Sequence, residues 1–147
     1  MNSDVEWMRR AIAMSRRSPA DLRAFSVGAV VVSGDGVELA SGFSREYDAA
    51  VHAEEAAIGK LPTGLELDTA TLYSTLEPCS RRASRAVSCT EHILAAGIGR
   101  VVIAWREPPL FVPDCQGVAL LVAGGVDVVE LPELAAEARA VNAHLGV

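Results

Sequence analysis

Aromatic residues make up only 5% of this 147-residue chain, and cysteine occurs three times. An odd, small number of cysteines, where no export signal is expected, points to ligands or reactive thiols before disulfides. Long apolar runs are also missing. The longest, residues 27–32 and 118–123, fall far below the roughly 18 residues a membrane-spanning helix needs. Acids and two arginines precede any apolar stretch at the N-terminus, the wrong order for a secretory signal, so a cytoplasmic protein is expected. Positive charge is not in excess either: a net charge of −6 disfavours a broad nucleic-acid surface, although a local basic loop can still grip one phosphate. What is present is ample apolar content, 50% of positions with 22% charged. That composition fits one globular domain over residues 1–147, large enough to bury about two thirds of its unfolded surface without staples.

Ser3 and Glu6 have capping-box spacing ahead of Val5, Met8, Ala11, Ile12 and Ser15, which predicts a helix over about 4–17. Ser18-Pro19-Ala20-Asp21 breaks it. The β-branched run at 26–32 predicts a strand covered on both faces, and Gly34-Asp35-Gly36 turns the chain into a partner strand over 37–42. Alanine and glutamate dominate 52–60, a helix ended by Leu61-Pro62-Thr63-Gly64. A strand over 69–75, a helix over 89–96 stopped by Gly97 and Gly99, and a buried strand over 100–105 follow. A short helix over 117–123, a last strand over 126–131 and a final helix over 132–145, with Pro132 near its first turn, complete the order. The succession predicts an α/β fold: a three-layer α/β/α sandwich with a mixed five-stranded sheet whose later β-α-β units run parallel.

His52-Ala53-Glu54 opens one predicted helix, Pro78-Cys79 follows the third strand directly, and Cys89 opens the next helix. One imidazole and two sulfurs are candidates for three protein ligands to zinc, with the fourth tetrahedral position left to water, as in a catalytic site. Helix N-termini would favour thiolates at Cys79 and Cys89. Glu54, two residues beyond His52, is placed to move protons rather than to ligate. An activated water would lose a proton to Glu54 and attack an amidine carbon, and Glu54 would pass the proton to the ring nitrogen and then to the departing amine. Singly, each feature has an ordinary reading, because free cysteines are often simply buried and Pro-Cys often only punctuates a turn. The joint arrangement carries the zinc site. Cys115 has no paired ligand and reads as structural, while His92 and His144 read as surface or packing residues.

The HAE at 52–54, the TLEPC run at 75–79, the VGAVVV strand at 27–32 and the order of elements around them resemble the cytidine deaminase superfamily, whose zinc nucleobase deaminases carry H-x-E followed by Pro-Cys. TLEPCS, the long basic loop to Cys89 and ILAAGIGRVVIAWREP look most like the deaminase domain of riboflavin biosynthesis, which acts on a diaminopyrimidine ribosyl phosphate. The resemblance implies zinc held by His52, Cys79 and Cys89, Glu54 as acid and base, the Ala53 backbone bordering the ring pocket, and a homodimer or homotetramer. Two positions depart from the riboflavin-type pattern. HAEEAA places Ala56 where a second histidine is usual, and Ala24-Phe25-Ser26 stands where an asparagine is usual. No reductase domain is expected to follow. In the inter-cysteine loop Arg81, Arg82 and Arg85 suit either a substrate phosphate or a solvated or interfacial surface. Trp105 and Phe111 suit either core and interface or a pocket wall.

The expected function is zinc-dependent hydrolytic deamination of an amino-substituted pyrimidine nucleoside or nucleotide, with water as co-substrate. The alternatives are a purine or specialised-metabolite heterocycle as substrate, or a noncatalytic zinc-stabilised protein. Nucleic-acid editing would require an electropositive face that the acidic balance disfavours.

Overall fold

The computed structural model describes residues 3–81 and 87–147. Helix α1 (Ser3–Ser15) precedes strands β1 (Gly28–Val32) and β2 (Glu38–Phe43), followed by α2 (Ala53–Ile58), β3 (Thr71–Ser74), α3 (Cys89–Ala96), β4 (Arg100–Ile103), α4 (Gly117–Ala123), β5 (Asp127–Glu130) and α5 (Ala135–Ala140). The strands form one sheet in the order β2-β1-β3-β4-β5. β1 is antiparallel to both β2 and β3, whereas β3, β4 and β5 run parallel. This is the mixed five-stranded sheet expected.

Strand position explains strand composition. β1, inside the sheet, is buried at all five of its residues, while the edge strand β5 is buried at none. Interior strands covered on both faces read as unbroken apolar runs; edges do not need to. Two glycines bring helices onto opposite faces. A Cβ at Gly28 would lie 1.9 Å from the Ala11 carbonyl oxygen of α1, and one at Gly42 would lie 2.7 Å from the Ala53 carbonyl oxygen of α2. Gly42 pairs with Ala29, the neighbour of Gly28, and adjacent strand residues face opposite ways. α1 and α2 are therefore the two covering layers at β1. Met8, Ile12, Val30, Leu72, Ile93, Ile103 and Leu121 sit within the resulting core.

The final helix expected over 132–145 is instead broken into a 3-10 turn at Pro132–Leu134, α5, and a second 3-10 turn at Ala143–Leu145. The break falls at Asn142. Its buried side chain accepts the Ser26 N–H at 2.6 Å and donates to the Ser26 carbonyl at 3.0 Å, so a tertiary contact overrides the helical pattern. Among the described residues no helix is long and apolar enough to cross a membrane.

Candidate metal centre and its cleft

Three segments, the start of α2, the loop after β3 and the start of α3, meet at one point. His52 is the residue before the first turn of α2, in extended backbone, and its N–H donates to the Glu55 carboxylate at 3.3 Å. Cys89 is the first residue of α3, whose start is capped by the Ser88 hydroxyl accepting the Glu91 N–H at 3.3 Å. Cys79 departs from expectation. It lies in the loop after β3 and opens no helix, yet it faces the N-terminus of α3, because the Cys89 N–H donates to its sulfur at 3.2 Å and the Thr90 N–H to its carbonyl at 3.2 Å.

His52 Nδ1 lies 3.6 Å from Cys79 Sγ and 3.4 Å from Cys89 Sγ. The three donor atoms all fall within 4.8 Å of one another. Zinc bonds of about 2.3 Å to sulfur and about 2.0–2.1 Å to nitrogen, opened to a tetrahedral angle, separate S from N by roughly 3.6 Å. The residues present therefore fit zinc in both donor chemistry and spacing. The Cys89 hydrogen bond, with the His52 ring adding to it, holds the Cys79 thiol well below the ordinary thiol range despite burial, which favours the thiolate a metal needs.

Beside the donors lies a cleft of about 440 Å³, lined in part by Glu54, Glu77 and Glu107. Glu54 is almost fully buried, as is Glu77. The Glu77 carboxylate accepts the Glu107 N–H at 3.1 Å and the Val118 N–H at 2.9 Å, tying the β4 exit and the start of α4 to the TLEPC loop. Burial, then the charges of Cys79, Glu54 and Glu77, push the Glu107 carboxyl up to about 7.

Of the residues singled out by sequence, Ala53 and Arg81 also line this cleft. Arg82 and Arg85 lie outside the described residues. Cys115 stands half-buried with its sulfur 3.6 Å from the Pro78 carbonyl, its thiol pushed up to about 11 chiefly by burial. His92 Nε2 lies 3.9 Å from a Glu55 oxygen, and exposed His144 is 3.0 Å from the Asp21 carbonyl. Phe111 is a cleft residue, whereas Trp105 packs behind it in the core. The two departures from the riboflavin-type pattern separate cleanly. Ala24 lines the cleft, but Ala56 is buried against β2, its Cβ only 2.9 Å from where a Gly42 Cβ would stand. Sequence reasoning missed Glu107, Arg23 and Arg45, all cleft-lining, and noted Phe25, also cleft-lining, only within the Ala24-Phe25-Ser26 departure. They come from loops without regular spacing, and WREP at 105–108 was the nearest signal.

The model of the family described as the cytidine and deoxycytidylate deaminase zinc-binding region matches residues 1–105. The diaminohydroxyphosphoribosylamino-pyrimidine deaminase of Schizosaccharomyces pombe is 42% identical over 129 residues, covering 85% of this chain and 31% of that protein. The riboflavin biosynthesis protein RibD of Aquifex aeolicus is 35% identical over 141 residues, covering 95% of this chain and 37% of that protein. The chain thus spans about a third of the length of these curated relatives. Among solved structures, the diaminohydroxyphosphoribosylaminopyrimidine deaminase/5-amino-6-(5-phosphoribosylamino)uracil reductase of Thermotoga maritima superposes with a TM-score of 0.80 at 34% identity, over 94% of this chain and 38% of that one.

Proposed function

This chain belongs to the cytidine and deoxycytidylate deaminase family, and from that membership we propose that it deaminates an amino-substituted pyrimidine carrying a ribosyl phosphate, in the manner of the riboflavin-pathway relatives. The observation that carries the reading is the donor triad, His52 Nδ1 at 3.6 and 3.4 Å from the two sulfurs, opening on a cleft that also holds Glu54. His52, Cys79 and Cys89 would hold zinc, which would supply a Lewis acid that makes water easier to deprotonate.

The remaining work falls to the chain. Glu54, nearly sealed from solvent and outside the donor triad, takes a proton from water as the C–O bond forms at the amine-bearing carbon. It delivers that proton to the adjacent ring nitrogen, then takes the second proton from the newly added hydroxyl and passes it to the amine, so that the C–N bond breaks, ammonia leaves and a ring carbonyl remains. Water adds and ammonia departs, so no redox cofactor is needed. The acid-lined inner cleft suits an amino-rich ring. Arg23 and Arg81 supply cations to the same cleft for a phosphate.

The test is ammonia release by the zinc-loaded protein from the diaminopyrimidine ribosyl phosphate, deoxycytidylate, cytidine, adenosine and guanine. Turnover fastest on the first supports the reading; turnover on none of them refutes it. Replacing Arg81 should hurt a phosphorylated substrate far more than its free nucleoside, and equal losses would remove the phosphate role. Self-association belongs to the same reading, supported by Leu120 and Val122 exposed on α4. Light scattering that finds only a monomer at micromolar concentration contradicts it.

A further inference from the structure

Arg45 is the only residue other than glycine with positive φ among the described residues, at 59°. Left-handed backbone at a bulky residue is uncommon, and it points to a side chain that the surrounding structure needs. The Arg45 guanidinium reaches across to the segment that joins α1 to β1. Its Nε donates to the Pro19 carbonyl at 3.2 Å and Nη1 to the Phe25 carbonyl at 3.2 Å; Nη2 donates to Pro19 O at 2.5 Å, Ser18 Oγ at 3.0 Å and Ser26 Oγ at 3.3 Å. From the opposite end of the sequence, Asn142 grips both backbone groups of Ser26, and His144 reaches the Asp21 carbonyl at 3.0 Å.

Between these two holds stands Phe25. It lines the cleft and meets Phe111 edge-on at 5.1 Å and Trp105 edge-on at 5.6 Å. Phe25 is 7% exposed and Phe111 37%, so the pair presents a built aromatic face with its back packed into the core. A loop left to itself would have to be ordered when a ligand arrives, at a cost in affinity that prior fixation removes.

We propose that Arg45 and Asn142 are positioning residues that clamp residues 18–26 from two sides, so that Phe25 and Phe111 form a preset wall against which the heterocycle is placed beside Glu54. This rests on the deaminase reading. The wall sets binding, while proton transfer and the metal donors belong to α2, α3 and the β3 exit, so loss of the clamp is read in KM and not in kcat.

Arg45→Gly suits the left-handed backbone and removes the whole side chain, guanidinium included; Arg45→Lys keeps the charge without the planar fork; Asn142→Ala removes the second hold. Each zinc-loaded variant is compared with the parent protein for hydrogen exchange at residues 21–27 and for kcat and KM on the diaminopyrimidine ribosyl phosphate, or on whichever substrate of the panel the parent turns over fastest. Arg45→Gly and Asn142→Ala are expected to lose at least tenfold in amide protection of this segment and to raise KM at least tenfold, with kcat within about threefold of the parent. Arg45→Lys should recover only part of either loss, and the double variant should fall short of the product of the singles, as for two parts of one device. Unchanged KM in the two single variants, or a fall in kcat that tracks zinc loss, overturns the proposal. If the parent deaminates nothing in the panel, the functional reading fails separately. The clamp then stands or falls on exchange alone, with retained protection in both variants overturning it.

Discussion

The two ends of the parallel strands treat charge in opposite ways. At their N-terminal ends, Asp4 of α1 accepts two hydrogen bonds from Arg100, at 2.9 and 2.7 Å, and one from the Tyr73 hydroxyl at 2.6 Å. Those bonds, Arg100 foremost, hold the Asp4 carboxyl below the usual range, while burial, with Asp4 adding to it, pushes the Tyr73 hydroxyl up to about 12. At the C-terminal ends, Glu54, Glu77 and Glu107 gather beside two cysteine sulfurs, and Glu107 is pushed up to about 7 by burial and like charge. One end is a satisfied network that ties a helix to the sheet. The other accumulates negative charge where a divalent cation would relieve it, and groups left in such environments cluster at functional sites.

The largest expected effect lies at the second end. Glu54→Gln should lower kcat by about 10²–10⁴ while zinc content and melting temperature stay near the parent values. A variant that binds zinc and keeps parental turnover would remove the proton-transfer role and favour a noncatalytic zinc protein.

Glu107 sharpens the contrast next. Its carboxyl titrates higher in the folded than in the unfolded chain, so its ionisation costs stability, absent below the unfolded pKa near 4.5 and complete once pH has risen past about 7. Glu107→Gln should therefore stabilise the zinc-free protein at pH 8 by roughly 1–3 kcal/mol, show no gain at pH 4, and lose its advantage when zinc is added. Melting curves at the two pH values check this; a gain independent of pH would show that shape and not charge is responsible.

The smallest effect belongs to the satisfied end. Asp4 has a lowered folded pKa, so its contribution is present above the unfolded value and is lost as pH falls through the folded one. Asp4→Asn should cost about 1 kcal/mol at pH 7, since the pair is partly exposed. The gap to the parent should close toward pH 3 without change in kcat at any pH.

The same contrast explains what could be read from sequence. The meeting of His52, Cys79 and Cys89, with Glu54 in the cleft beside them, was legible because metal chemistry restricts residue type and places donors at element ends. The sheet was legible because interior strands such as β1 must be apolar at every position. The clamp was not legible. Ser26 and Asn142 are separated by 116 positions and announce themselves by no spacing, and Arg45 reads as an ordinary loop cation until its acceptors are in place. Asn142 also breaks the final helix expected over 132–145. At Cys79 the expected helix N-terminus was present but belonged to α3, supplied through space by the Cys89 N–H. Ala56 shows the converse, a departure conspicuous in the HAEEAA string that lies against Gly42 and does not line the cleft beside the donors.

X-ray absorption at the zinc edge, combined with elemental analysis of the purified protein, tests the central claim most directly. One zinc per chain is predicted, with two sulfur neighbours at about 2.3 Å and a nitrogen at about 2.0–2.1 Å, and Cys89→Ser should reduce the sulfur count to one. A metal-free protein, or a zinc environment unchanged in Cys89→Ser, would contradict it.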